Sequence, residues 1–277
     1  MDLDLQLLCV NARMYQRFEF NKPSDKIEFA DMLFNGGSIR TYCPACEDES
    51  IFKIDPYLVR IPRPKVAGYV NSDYNLEQFN SILDDIYINL IAKCASNQNH
   101  TAAFNFYITS DYIIKTGQHP SYTDLTKHDF KKYRRILGDD KYKEFNRAIG
   151  LASSDIGIGA FVYLRRIFEH ILEQAHLEAK SSSNWDETSY SGKKVHDKIL
   201  CLKNFLPQFL IDNAAAYSIL SKGIHELSEN ECITYFPVVR SAIELILDDV
   251  LAKEEYKRKS EETAKEIQKL NSILKSK

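Results

Sequence analysis

Residues 41–50 read TYCPACEDES, with Cys43 and Cys46 set around Pro-Ala. Two cysteines at this spacing serve either redox exchange or metal binding. A redox pair needs a thioredoxin-like setting, in which the motif opens a helix after a strand. Here acidic residues and serine follow, then the apolar run Ile51-Phe52-Lys53-Ile54. That is the pattern of a knuckle between two strands. A metal site built on such a knuckle needs two further ligands.

The segment CASNQNH, residues 94–100, supplies Cys94 and His100, and a second β-type run, AAFNFYI, follows it. Each pair lies in a tight polar turn between apolar strands. Two facing knuckles of this kind make a zinc ribbon, and three thiolates with one imidazole complete a closed tetrahedral site. Four protein ligands leave no open position, so the expected zinc is structural. The Cys-x5-His spacing is looser than a second CxxC, and another group could replace His100. The alternative is a buried thiol at Cys94, a surface His100 and an unloaded CPAC turn. Cys9, Cys201 and Cys232 lie in apolar or helical surroundings and read as small core side chains.

The 277-residue chain is 44% hydrophobic and 27% charged, with a net charge of −3. This is the composition of a globular protein with a sizeable core. The charge gives no broad basic surface for nucleic acid, though a local patch is compatible with it. No run approaches the roughly 18 apolar residues of a membrane span. The acidic start MDLDLQLLCV is unlike a basic signal peptide. The expectation is a cytoplasmic protein with reduced thiols and no membrane association.

The fold class expected is α+β, with a β-rich zinc-ribbon domain over residues 1–120 and an all-α domain over 125–277. Residues 1–40 alternate in LDLQLL and YQRFEF and read as short strands. Residues 55–75, with three prolines and Gly68, read as a long loop. Residues 79–92 are a strand or a helix. AAFNFYI and DYIIKTG read as strands, and GQHPSYTD at 117–124 as the linker. Beyond 125 the apolar period changes to that of a helix. In GAFVYLRRIFEHILEQAHLEAK, 159–180, the residues Phe161, Leu164, Phe168, Ile171, Leu172 and Ala175 recur at spacings of three and four. A helix is expected over VHDKILCLKNFL. Another begins near Pro207 and ends at Gly223. Ser228 and Glu231 form a capping box that starts a helix near 229. Pro237 should kink or split that helix. From 238 onward the chain reads as one long helix, whose Glu/Lys-rich end is a solvated extension in preference to a coiled-coil seam.

Two polar clusters in the helical half are the catalytic candidates. In LRRIFEHILE, Arg165 or Arg166 could hold phosphate and His170 could move a proton; i,i+4 ion pairing is the alternative. In KGIHELSENE, His225 lies between a helix end and a capped helix start, where it could act as an acid or base or tie down the turn. Packing of the two helices would join Arg165 and Glu169 to His225 and Glu226 in one polar network. The single tryptophan, Trp185, lies in the polar break SSSNWDETSYSG and suggests no role.

The order CPAC, Cys-x5-His, GAFVYLRRIFE and SKGIHELSE resembles uncharacterised bacterial proteins with an N-terminal zinc ribbon and a C-terminal HEPN-like helical domain. The resemblance covers nearly the whole chain, and YLRRIFE and GIHELSE are its most specific parts. It implies a helical bundle that pairs as a homodimer. It further implies one of two functions. The first is an interaction module for a partner protein, RNA or DNA in antiphage defence or stress. The second is a metal-independent ribonuclease using an R-x4–6-H motif. The formal match to that motif is Arg165-x4-His170. An interval of five turns the two side chains about 140° apart on a regular helix. No arginine stands at the matching distance before His225. A binding module is therefore preferred.

Overall fold

Alternating apolar and polar residues build a six-stranded antiparallel sheet. Its strands are β1 (Arg17–Glu19), β2 (Gly37–Cys43), β3 (Asp48–Ile54), β4 (Ile86–Cys94), β5 (Thr101–Ile108) and β6 (Tyr112–His119). They lie in the order β1-β6-β5-β4-β3-β2 and curl into a half-barrel. This computed structural model describes residues 3–57, 83–126 and 128–275. The chain falls into two units. The first is Met1–Lys132 with Ile149–Ile156, and the second is Tyr133–Ala148 with Gly157–Lys277.

In the first unit the two-residue period sends Ile39, Phe52, Ile54, Ile88, Leu90, Phe104, Phe106 and Ile113 into one core. Helix α1 (Pro23–Asn35) adds Phe29, Ala30 and Leu33 to that core. Gly36 ends α1 at φ 66°, and a Cβ there would meet the Ile54 carbonyl oxygen at 2.3 Å. Only glycine satisfies both conditions. Residues 1–40 thus hold more than the expected short strands. LDLQLL passes into a π-helical turn at Leu7–Asn11, and residues 23–35 are helical. A short apolar run fits either period, and here closure onto the core decided it. Of the stretch left open between strand and helix, 86–92 is strand. Residues 79–82, and the expected loop from residue 58 onward, lie outside the described residues.

Lys115 follows Ile113 on the inward face of β6 and is fully buried. Its Nζ donates to the carbonyls of Cys9, at 2.6 Å, and Ala12, at 3.1 Å. It thereby holds the carbonyls at the end of the π-helical turn. Burial lowers its pKa to about 8. Burial likewise raises the neighbouring Cys9 thiol to about 12.

The expected linker at 117–124 is ordered structure. Gly117–His119 close β6, and Tyr122–Leu125 form the short helix α2. Ser121 caps α2 by accepting from the Asp124 amide. Helices α3 (His128–Lys131) and α4 (Arg134–Ala152) follow, α4 being kinked at Gly138.

The second unit is helical, with α5 (Gly157–Lys180), α6 (Val195–Cys201), α7 (Gln208–Asp212), α8 (Ala215–His225) and α9 (Glu229–Lys275). All six apolar residues read as the stripe of α5 are buried. Three boundaries differ from expectation. Helix α6 stops at Cys201, the helix after Pro207 breaks at residues 213–214, and Gly223 lies inside α8 instead of ending it. Gly223 has a packing role, because a Cβ there would lie 2.0 Å from Phe161 Cδ1. The capping box at Ser228 is formed: the Glu231 carboxylate accepts from the Ser228 amide at 2.9 Å. Pro237 does not split α9, which runs as helix to Lys275. Among the described residues no helix is long and apolar enough to cross a membrane.

Candidate functional site

Strand parity brings the four expected metal ligands together. Cys43 ends the inward row Ile39-Thr41-Cys43 on β2, and Cys94 ends Ile88-Leu90-Ala92-Cys94 on β4. Register then sets Phe52 of β3 opposite Cys94. Cys46 projects from the turn between β2 and β3, and Glu47 completes that turn at φ 55°. His100 closes the turn between β4 and β5. Its carbonyl accepts from the Cys94 amide at 2.9 Å, and its amide donates to the Asn97 carbonyl at 3.0 Å.

Sγ of Cys46 lies 3.9 Å from Sγ of Cys94 and 3.2 Å from Nδ1 of His100. Sγ of Cys43 lies 3.7 Å from the same Nδ1. All four donor atoms fall within 4.8 Å of one another. Tetrahedral coordination with sulfur bonds of about 2.3 Å places ligand atoms about 3.5–3.8 Å apart, so the cluster fits an ion at its centre. The four residues are therefore close enough to bind a metal ion, and among the described residues they form the one such Cys/His/Asp/Glu group. Cys43 and Cys94 are buried, while Cys46 and His100 are partly open, so the site sits at the margin of the core.

The surroundings orient the donors. The Ser50 hydroxyl lies 3.1 Å from Cys94 Sγ. The Asn97 side-chain amide lies 3.2 Å from Nε2 of His100, on the far side of the ring from the thiols. Contacts of this kind fix ligand orientation in metal sites. Burial raises the Cys94 pKa, but hydrogen bonds from Ser50 and from the Asn97 and Ser96 amides outweigh it and bring the thiol to about 6. Cys46 goes to about 12, chiefly through its hydrogen bond with Cys43 and then through desolvation. Three thiols this close resist ionising together, and a central cation removes that repulsion. Ser50 and Asn97 carried no sequence signal, since each lies within an ordinary strand or turn.

The helical candidates are arranged differently. Arg165 donates to Glu169 at 2.8 Å, and Tyr217 of α8 donates to the same carboxylate oxygen at 3.2 Å. Arg166 pairs with Glu144 of α4 at 2.7 Å, and Lys141 binds the other oxygen of Glu144 at 3.1 Å. His170 is half-buried. Burial lowers its pKa, and nearby Lys141 lowers it further. His170 lines a cleft of about 810 Å³ with Ile171, Gln174, Leu206, Leu247 and Lys253. His225 is exposed, and Glu226 faces Lys222 at 3.8 Å. The network expected to join Arg165 and Glu169 to His225 and Glu226 instead runs to Tyr217. Tyrosine at 217 was the missing signal: it sits two turns before His225 and packs against Phe168 with tilted rings 5.5 Å apart.

A cluster not expected from the sequence closes the polar break. His176 is buried on α5 and stacks on Tyr190 with ring centroids 3.9 Å apart. Its Nε2 lies 3.0 Å from the Glu187 carboxylate, to which Trp185 Nε1 also donates at 2.8 Å. Trp185, to which no role was given, thus anchors this loop. Cys9 and Cys232 are buried as expected, while Cys201 is only partly buried. Compared with family models, with curated proteins and with solved structures, the chain matches none of them.

Proposed function

We propose that the ion is zinc, that it is structural, and that the protein is a non-catalytic binding module. Three thiolates and an imidazole form a donor set that suits zinc, and four protein ligands leave no position for substrate. Bound there, zinc would tie the turn after β2 to the turn after β4. The helical unit would then be HEPN-like, and its role would be recognition of a partner protein, in bacterial defence or stress. Nucleic acid is the other candidate partner. The observation that carries this reading is the state of the polar groups in the helical unit. Arg165 and Arg166 each spend their charge on a carboxylate within the unit. A phosphate-binding arginine paired with a catalytic histidine calls for free donors converging on one point.

The test is incubation of zinc-loaded protein with labelled tRNA and mixed single-stranded RNA, beside His170→Ala and His225→Ala proteins. The expected result is no cleavage above background in any sample. Cleavage lost in either variant would establish the ribonuclease reading instead. RNA retained without cleavage would make nucleic acid the partner.

A further inference from the structure

The three sulfurs of the candidate metal site are not equally reachable. Cys43 is 1% exposed and Cys94 0%. Cys46 is partly open on the turn between β2 and β3, and Ala45 and Glu47 on either side of it are exposed. An ion in the cluster would hold all three sulfurs as thiolates, because binding displaces their protons. Access then decides which of them an oxidant in solution meets first, and that sulfur is Cys46. A second sulfur is placed to complete the reaction. Cys94 Sγ lies 3.9 Å from Cys46 Sγ, and the Ser50 hydroxyl, 3.1 Å from Cys94 Sγ, orients it from the other strand. An accessible thiolate poised beside a sheltered one is the arrangement of a redox-responsive pair. Cys201, the other partly buried thiol, sits instead beside the Lys193 ammonium at 3.3 Å and the Ser189 carbonyl at 3.8 Å.

We infer that Cys46 and Cys94 are a hydroperoxide-sensitive pair that expels the ion and puts a disulfide in its place. The Cys46 thiolate attacks one oxygen of the hydroperoxide. An S–O bond forms and the O–O bond breaks. The leaving oxygen takes a proton from solvent and departs as an alcohol, or as water when the oxidant is hydrogen peroxide. Cys46 is then a sulfenic acid. The Cys94 thiolate attacks its sulfur, the S–S bond forms, and the hydroxide leaves with a second proton as water. Two electrons have passed from the sulfurs to the peroxide. Of its four ligands the ion keeps only Cys43 and His100, and it is lost to solvent. A metal tie between the turn after β2 and the turn after β4 becomes a covalent one between positions 46 and 94. The inference rests on the metal reading and is independent of the HEPN-like one.

Hydrogen peroxide added to the full zinc-loaded chain tests this. A chromogenic chelator follows released zinc, and peptide mass spectrometry maps the disulfides. The expected result is loss of the zinc together with one new disulfide that joins Cys46 to Cys94, both reversed by dithiothreitol and added zinc. Cys46→His keeps four protein donors without the accessible sulfur, and should hold its zinc on the order of tenfold longer. Zinc retained by the wild type at millimolar peroxide would overturn the inference. So would a disulfide between Cys43 and either partner, or equally fast release from zinc-loaded Cys46→His. Should that variant not load, the wild-type disulfide map decides alone. A wild-type chain that takes up no zinc would instead fell the metal reading on which the inference rests.

Discussion

The two units use polar side chains in opposite ways. In the β-rich unit Cys43, Cys46, Cys94 and His100 point at one another, and no counter-charge lies among them. In the helical unit Arg165, Arg166 and Lys141 each meet a carboxylate that neutralises them. Converging donors of one kind are costly to hold together without an ion, because each disfavours the charged form of the next. Alternating charges need no guest. The first arrangement therefore reads as a candidate metal site, and the second as internal ion pairing.

That contrast breaks most readily at the metal. Stripping the ion with a strong chelator, or replacing Cys94 by serine, will cost the β-rich unit several kcal/mol, because binding energy at such a site is folding energy. Thermal melts and metal analysis check this, with one ion per chain expected in the native protein and none in Cys94→Ser. The helical unit breaks at a contact instead. Gly223→Ala drives a methyl group into Phe161 and will cost about 2 kcal/mol, overpacking outweighing the gain in helix propensity. Trp185 is the only tryptophan, so its fluorescence in a urea titration reads this unit. Tyr217→Phe removes one hydrogen bond to Glu169 and will cost about 1 kcal/mol by the same titration. Such a small cost would be the mark of a structural pair.

The smallest effect concerns acid. Hydrogen bonds from Trp185 and then His176 hold Glu187 down to about 2, below its ordinary value of 4.5. A depressed carboxylate adds stability above its unfolded pKa and loses it as pH falls toward the folded one. Melting between pH 5 and pH 2 should show this loss in the wild type and lack that component in Glu187→Gln.

The four clustered candidate ligands were legible because their chemistry is written in short motifs. Each pair comes from a single turn, so spacing along the chain stands in for distance in space. The α5 stripe was legible for a similar reason, since helix period alone predicts its buried face. What escaped the sequence depends on partners far along the chain. Residues 23–35 pack as a helix because the curled sheet leaves room for Phe29 and Leu33. Gly223 reads as a helix end until Phe161, 62 positions earlier, is seen to need the space. Glu169 chooses Tyr217 over His225 through the way α8 lies on α5, which no local pattern encodes.

The buried Lys115 gives the first unit a calorimetric signature. Its ammonium is held at about 8 in the fold, against an ordinary value of 10.5. Near pH 9 the native side chain is mostly neutral, and the unfolded one is mostly charged. Unfolding therefore draws a proton from the buffer, and the buffer's heat of ionisation enters the measured enthalpy. The buffer dependence of the enthalpy, from scans at pH 9 in an amine buffer and in a borate buffer, should then differ between the wild type and Lys115→Met by the one proton of Lys115. Burial of the Lys115 amine would make this unit release a proton to its solvent each time it folds near that pH.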